Sequence, residues 1–159
     1  FIQGRLRVML LEMGFSYDVV DAVLAEKGND PYAAMTGVKM LSKWVGRDDW
    51  REILPAFSRC VRIIRDQKQQ FDVNEGLFEN ESETLLFKAI QEAKGHGESD
   101  EVDDFLTAFL PLIPVINLFF DEVLVMADNL QIRQNRLGLM QRVACLAHGV
   151  ADLSYLEGF

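Results

Sequence analysis

Apolar side chains recur at intervals of three and four residues in segment after segment of this 159-residue chain. This spacing places them on one face of an α-helix, whereas a half-buried β-strand would alternate apolar and polar residues. No segment alternates convincingly, and the nearest candidate, residues 123–126, is too short to stand alone. The sequence therefore predicts an all-α fold, a helical bundle of about seven to eight helices.

Glycine, proline and capping residues mark the ends of the predicted helices. Gly14 and Gly28 follow two apolar stripes, Ser16 is a candidate N-cap, and Asp30 with Pro31 opens a third helix. Pro55 leaves two alternatives for the fourth helix, a kink or a start near residue 54. The predicted helices cover about residues 1–13, 17–27, 31–43, 49–68, 81–94, 100–110, 114–124 and 130–147.

Residues 44–49 look like a connector between two parts of the chain. We predict a helical segment over residues 1–46, which ends a preceding domain, and a self-contained helical domain over residues 47–159. Because the chain begins at Phe1 and not at methionine, we expect an excised segment of a longer protein. The longest apolar run, residues 105–120, is too short and too interrupted to span a bilayer, so no membrane partner is expected.

The net charge of −9 argues at first against nucleic acid, but the acid is concentrated in one segment. Residues 69–104 hold eleven acidic and two basic side chains, which accounts for the whole excess. Residues 1–68 carry eleven Lys and Arg against nine Asp and Glu. A basic surface elsewhere on the chain is therefore compatible with its acidic composition.

Catalytic equipment is not evident in the sequence. His96 and His148 have no ligand-type neighbours at metal-binding spacing, and no glycine-rich phosphate loop occurs. Paired carboxylates such as Asp103 and Asp104 fit helix starts and solvated faces. We expect no catalytic residue and no metal site in this segment. Cys60 and Cys145 sit in apolar helical contexts, which favours buried free thiols over a disulfide.

Four basic side chains follow one another at steps of three residues in the predicted fourth helix: Arg59, Arg62, Arg65 and Lys68. One interpretation is a solvated helix face with Asp66 as a nearby partner. The other is contact with phosphates or bases, because the planar guanidinium group makes paired hydrogen bonds and stacks on bases.

Two further arginines open the last helix and differ in register. If Ile132, Leu139, Val143 and Leu146 form its buried face, Arg136 lies within that face and Arg133 points outward. A buried arginine needs carboxylate or carbonyl partners. The candidates near it in sequence are Asp121, Glu122 and Asp128, so we predict a structural role for Arg136, Asp121 and Asp128.

Residues 119–156, FFDEVLVMADNLQIRQNRLGLMQRVACLAHGVADLSYL, closely resemble the C-terminal end of the beta chain of bacterial-type heterotetrameric glycyl-tRNA synthetases. The segment Ser16 to Ala25 and the run from Arg59 to Arg65 are similar to that family as well, so the resemblance covers nearly the whole chain. The matching positions in the C-terminal part are Phe119-Phe120-Asp121, Val123, Val125-Met126, Asp128, Arg133, Asn135-Arg136-Leu137 and Ala151-Asp152.

The resemblance implies a DALR-type anticodon-binding domain with a preceding helical segment. It also implies an alpha2beta2 glycine–tRNA ligase in which the beta chain recognises tRNA(Gly), while ATP and Mg bind at the alpha chain and no cofactor binds in this segment. The compartment would be the bacterial cytoplasm or, alternatively, the plastid stroma. We expect the tRNA contacts to come from Arg59, Arg62, Arg65 and Lys68, with Arg133 and Arg142.

The rival from another functional class is a helical protein-interaction module that makes no RNA contact. Such a module would use an exposed apolar groove near Pro111 and Pro114. Salt-sensitive binding to tRNA(Gly) discriminates the two hypotheses.

Overall fold

The structure, a computed structural model, describes residues 2–96 and 100–159. Within these ranges the chain forms eight α-helices and no β-strand, which confirms the predicted all-α bundle. The helices are α1 Ile2–Glu12, α2 Tyr17–Lys27, α3 Pro31–Val45, α4 Trp50–Ile63, α5 Glu81–His96, α6 Val102–Phe109, α7 Leu112–Glu122 and α8 Leu130–Cys145. Short 3-10 turns at Glu75–Leu77 and Leu153–Tyr155 complete the regular structure of the described residues.

The largest departure from the predicted helices concerns α4, which contains Pro55 in its interior and ends at Ile63. Pro55 lacks the N–H that would have donated to the Arg51 carbonyl, and both residues are exposed. A start near residue 54 is therefore wrong. The predicted end at Lys68 is wrong too, because three-residue turn bonds replace the helical pattern over residues 64–67.

Contacts group the described residues into two compact units that interleave along the chain. The first comprises 2–55, 100–107 and 147–159, with α2 packed between α1, α3 and the C-terminal 3-10 turn. The N–H of Asp152 donates to the Ala22 carbonyl at 2.8 Å, and the N–H of Glu157 donates to the Asp18 carboxylate at 3.1 Å. The predicted domain boundary after residue 46 stays a prediction.

The second unit comprises 56–96 and 108–146 and is organised around α8. This helix is buried on every side over residues 135–141, which explains why its sequence shows little amphipathic pattern. Helix α5 packs against both α7 and α8. The buried face of α5 holds Leu86, Phe87 and Ile90 as its large apolar side chains, whereas Leu85 is 42% exposed.

Candidate nucleic-acid interface

Two of the predicted RNA-contacting arginines stand together on the exposed side of α4. Arg59 and Arg62 are exposed, while Ser58 and Cys60, their neighbours along the helix, are fully buried. One turn of helix separates the two arginines, so a single face of α4 presents both guanidinium groups. Arg62 Nη2 also donates to Ser58 Oγ at 2.8 Å, which anchors the Arg62 head group to the helix surface.

An aromatic ring that the sequence had indicated only as an apolar helix position completes this surface. The Arg59 guanidinium carbon lies 4.2 Å from the centroid of the Phe120 ring on α7. Phe120 is half-buried and meets the fully buried Phe119 edge to face, with ring centroids 5.6 Å apart and planes at 83°. The ring is therefore held from the core and offers one face to the arginine, a favourable cation–π arrangement.

These groups line an open depression of about 400 Å³ whose described lining is Arg59, Arg62, Ile63 and Phe120. We call it the Arg59–Phe120 depression. Two arginines on an apolar floor suit a planar, anionic ligand, because the guanidinium edge binds phosphate and its face stacks on aromatic rings. The sequence pointed to the arginines, but it held no signal for the ring, since Phe120 and Arg59 come from different helices.

The other two members of the predicted stripe do not continue the helix face. Arg65 lies in the turn after α4 and Lys68 in the irregular chain that follows, and both are exposed. Within the described residues, no ion pair engages Arg59, Arg62, Arg65 or Lys68, so Asp66 does not neutralise the stripe. Their four positive charges remain available to a ligand.

Two further candidate arginines lie elsewhere on the second unit. Arg133, predicted to point outward, is half-buried in the first turn of α8. Arg142, also half-buried, stacks its guanidinium carbon 5.3 Å from the ring centroid of Phe87. Neither belongs to the described lining of the Arg59–Phe120 depression, and their contact with RNA stays a prediction.

Arg136 is buried, in agreement with its register in the sequence, but its partners are different residues from those expected. Its exposed fraction is 5%. Arg136 donates from Nε to Glu83 and from Nη2 to Glu79, each at 3.0 Å. It also donates from Nη1 to the Leu124 carbonyl at 2.8 Å. The candidates near it in sequence, Asp121, Glu122 and Asp128, are all exposed. The correction follows from the fold, because packing of α5 against α8 supplies a carboxylate that is itself fully buried.

Glu83 serves two purposes at this site. Its Oε1 accepts from Arg136, while its Oε2 accepts the backbone N–H groups of Glu79 and Asn80 at 2.8 and 2.9 Å. Because Asn80 precedes the first residue of α5 and Glu83 is the third residue, this is one half of a capping box. The start of α5, the chain after α7 and the middle of α8 thus meet at one buried charge cluster.

A second polar arrangement holds the chain that leaves α4. The side-chain amide of Asn135 accepts the Asn74 N–H at 2.6 Å and donates to the Asn74 carbonyl at 3.0 Å. The amide of Gln141 likewise accepts the Phe71 N–H at 2.9 Å and donates to the Gln69 carbonyl at 2.7 Å. Residues 69–74 therefore lie along α8 and receive from its side chains the backbone bonds that a helix or strand would supply.

Gly138 makes this close approach possible. It lies between Asn135 and Gln141 on α8, and a Cβ built there would stand 2.9 Å from the Phe71 carbonyl oxygen and 3.1 Å from Val73 Cγ2. A side chain at this position would push residues 69–74 away from the helix. The segment that these tertiary bonds hold begins at Gln69, six residues after the end of α4.

The two thiols differ in their surroundings. Both are free, Cys60 is buried and Cys145 is exposed in the last residue of α8, so the prediction of two buried thiols is wrong for Cys145. Burial raises the pKa of the Cys60 thiol to about 12, which keeps it protonated at neutral pH.

Among the described residues no group of three or more His, Cys, Asp or Glu side chains is placed to hold a metal ion.

Within residues 2–96 and 100–159, no single helix combines the length and the apolarity needed to cross a bilayer. Helices α6 and α7 satisfy the length and composition criteria as a pair, with a bend of 48° between them.

Comparison with known proteins gives a consistent group of relatives. The chain is 36% identical to the glycine–tRNA ligase beta subunit of Shouchella clausii over 156 residues, which cover 96% of this chain and 22% of that protein. It is 35% identical to the glycine–tRNA ligase, chloroplastic/mitochondrial 2, of Arabidopsis thaliana over 162 residues, covering 100% of this chain and 15% of that protein. The beta subunit of Moorella thermoacetica is 31% identical, with 98% and 23% covered.

No protein-family model matches the chain. The chain spans about a fifth of the length of the bacterial relatives named above, and a smaller share of the plant one. The identity nevertheless extends across nearly the whole of the chain, through both compact units. The resemblance indicated by residues 119–156 is therefore confirmed, and this chain is a homologue of a part of the glycine–tRNA ligase beta subunit.

Proposed function

We propose that this chain is the tRNA-recognising part of a glycine–tRNA ligase beta subunit, which contacts the anticodon stem and loop of tRNA(Gly). The observation that carries the proposal is a set of four exposed basic side chains on α4 and in the chain directly after it, Arg59, Arg62, Arg65 and Lys68, with which no described carboxylate forms an ion pair. The relatives supply the context, since their names specify glycine–tRNA ligases.

Several parts of the proposal concern the whole enzyme. ATP-dependent glycylation would take place at an alpha chain that binds ATP and Mg, within an alpha2beta2 assembly. The present segment would contribute recognition and no catalytic group. The fold would be of the DALR anticodon-binding type, and the compartment the bacterial cytoplasm, with the plastid stroma as the alternative that the plant relative keeps open.

The physical basis of recognition is a combination of phosphate neutralisation and base stacking. Single-stranded RNA loops expose unstacked bases and a flexible phosphate backbone, both of which arginine can bind. The excess negative charge lies in residues 69–104, a segment that begins directly after Lys68 and does not include the stripe itself. Two of its carboxylates, those of Glu79 and Glu83, are already paired with Arg136.

The test is a titration of the chain with tRNA(Gly) and with an unrelated tRNA at several salt concentrations. Replacement of Arg62 and Arg65 by Ala should weaken binding and reduce the slope of log affinity against log salt by about 1.4 to 1.8, because each lost phosphate contact contributes about 0.7 to 0.9. The matched control replaces Lys39 and Arg51, two exposed basic residues of the first unit, which changes the net charge equally.

Equal effects of the two double variants would show that net charge alone matters and would contradict the proposed surface. Unchanged affinity of the Arg62 and Arg65 variant at low salt would do the same. Circular dichroism of each variant, compared with that of the parent chain, separates loss of binding from loss of fold.

The rival function, protein interaction without RNA contact, has one observation in its favour. Leu124, Met126 and Leu130 are 70%, 47% and 55% exposed in and just after the break between α7 and α8. These positions differ from the groove expected near Pro111 and Pro114, which stays a prediction. A chain that gives no salt-dependent shift with tRNA(Gly) would favour this rival.

A further inference from the structure

The Arg59–Phe120 depression contains more than phosphate binding requires. A phosphate site needs positive charge and N–H donors at its edge, and Arg62 with the other exposed basic residues supplies both. Yet Arg59 lies over an aromatic ring at 4.2 Å, and that ring is fixed from behind by the buried Phe119. The ring adds no charge and no hydrogen-bond donor. Because it contacts the face of the guanidinium group, it indicates a binding mode that uses this face and not only the edge.

A guanidinium group supported by a ring is ordered before any ligand arrives. An exposed arginine in water samples many rotamers, and immobilising such a side chain on binding lowers affinity by about 2- to 13-fold. Contact with Phe120 reduces the number of rotamers that Arg59 visits. The opposite face of the planar group can then stack on a second aromatic system, while its edge still reaches a phosphate.

We propose that the depression binds one unpaired base of an RNA loop, stacked on the guanidinium group of Arg59. Phe120 is the positioning residue that holds this group, and Arg62, on the same wall, meets the neighbouring phosphate. Ile63 provides an apolar edge for the base. The assignment rests on the proposed function and adds to it the chemical class of the bound group, a nucleobase recognised through its face and therefore with little sequence preference.

The first experiment separates the face of Arg59 from its charge. Replacing Arg59 with Lys keeps the charge and removes the plane, so the salt dependence of tRNA(Gly) binding should stay unchanged while affinity falls about 5- to 150-fold, the range for one stacked base. The matched control is Arg51→Lys, at an exposed arginine of α4 outside the depression, for which we expect less than a twofold change.

The second experiment tests the positioning role of Phe120. Phe120→Leu should lower affinity by about 2- to 13-fold, because Arg59 must then be immobilised on binding. Phe120→Tyr should restore the affinity, because tyrosine retains the ring. A residue that serves only the packing of α7 would show no such rescue in binding once the variants are shown to be folded. If Phe120→Leu fails to fold, the exposed Arg59→Lys variant still decides the question.

The third experiment identifies the base. A set of tRNA(Gly) molecules, each with one abasic nucleotide in the anticodon loop, is titrated against the parent chain and Arg59→Lys. At one loop position the abasic RNA should bind the parent chain as weakly as the intact RNA binds Arg59→Lys, and the two changes together should cause no further loss. Additive losses at every position would overturn the stacking assignment.

The outcomes distinguish this inference from the proposed function. If the Arg62 and Arg65 variant loses affinity but Arg59→Lys and Phe120→Leu bind as the parent does, the stacking site is overturned and the RNA function stands. If the parent chain binds tRNA(Gly) no better than an unrelated tRNA, the proposed function is overturned, and if it binds neither RNA, both are overturned.

Discussion

The buried charge cluster of the second unit makes a quantitative prediction possible, because Arg136 has two carboxylate partners at the same distance but in different surroundings. Glu83 and Glu79 each lie 3.0 Å from a guanidinium nitrogen, yet the Glu83 side chain is 0% exposed and that of Glu79 is 56% exposed. Replacing each with Gln in turn removes one charge and keeps the side-chain length. The pair of variants therefore compares a buried ion pair with a largely exposed one on a shared arginine.

The expected magnitudes follow from burial. Removing one partner of a buried ion pair costs about 3–5 kcal/mol, and we expect about 3 kcal/mol for Glu83→Gln because Glu79 and the Leu124 carbonyl remain on Arg136. The Gln oxygen can still accept the backbone N–H groups of Glu79 and Asn80, while its NH2 group cannot accept from Arg136, so the loss reports the ion pair with Arg136 and not the cap. For Glu79→Gln we expect at most about 1 kcal/mol.

Urea unfolding at pH 7, followed by far-ultraviolet circular dichroism, measures both values through the midpoint and the slope. For a chain of this size the thermal midpoint should fall by about 6–12 °C for Glu83→Gln and by less than about 4 °C for Glu79→Gln. Both tryptophans, Trp44 and Trp50, belong to the first unit. Tryptophan fluorescence therefore shows whether the loss remains in the second unit or unfolds the whole chain.

Equal losses from the two variants would refute the argument that burial determines the contribution of these carboxylates. A loss below 1 kcal/mol for Glu83→Gln would refute the structural role of the cluster altogether.

Three further predictions concern other sites. Gly138→Ala should destabilise the chain by about 1–3 kcal/mol in urea unfolding, because the added Cβ meets the backbone that lies along α8. At the control position Gly95 an added Cβ would meet no atom within 4 Å outside its own stretch of helix, so Gly95→Ala should be neutral or stabilise the chain by up to about 1 kcal/mol. In the native chain a thiol reagent at pH 8 should modify Cys145 quickly and Cys60 only after denaturant is added, because Cys60 is buried and its pKa is about 12; two fast thiols would contradict this. Burial acts to raise the pKa of Asp18, but hydrogen bonds to its carboxylate outweigh burial and lower the pKa below 3.8. The ionised carboxylate therefore stabilises the folded chain above about pH 4, and this stabilisation is lost as the pH falls through the lowered pKa. Asp18→Asn should reduce the loss of stability that urea unfolding measures between about pH 5 and 2.

The local signals of the sequence were sufficient for most helices. Helix α2 begins and ends at the predicted residues, between Ser16 and Gly28, although the Ser16 side chain makes no capping hydrogen bond and its hydroxyl donates to the Asp18 carboxylate. Asp30 accepts the Ala33 N–H and Pro31 occupies the first turn of α3, as the capping pattern indicated. Caps and breakers act within one turn of helix, so they can be interpreted without knowledge of the rest of the fold.

Features set by distant parts of the chain could not be predicted in the same way. The carboxylate partners of Arg136 lie 53 and 57 residues away in sequence, and the nearer aspartates gave the wrong candidates. The chain that follows α4 is held by amide groups of α8, which no local pattern of residues 59–68 records. Phe120 was placed correctly as an apolar position, but its pairing with Arg59 requires α4 and α7 to be packed together.

The chain that crosses α8 has a consequence for the exchange of amide hydrogens with solvent. Residues 69–74 have no regular secondary structure, and loops of this kind usually exchange quickly. The amide hydrogens of Phe71 and Asn74, however, are bonded to the side chains of Gln141 and Asn135. They can exchange only when this segment lifts from a helix buried on every side, so their exchange should be as slow as that of α8 itself and should report the opening of the second unit as a whole.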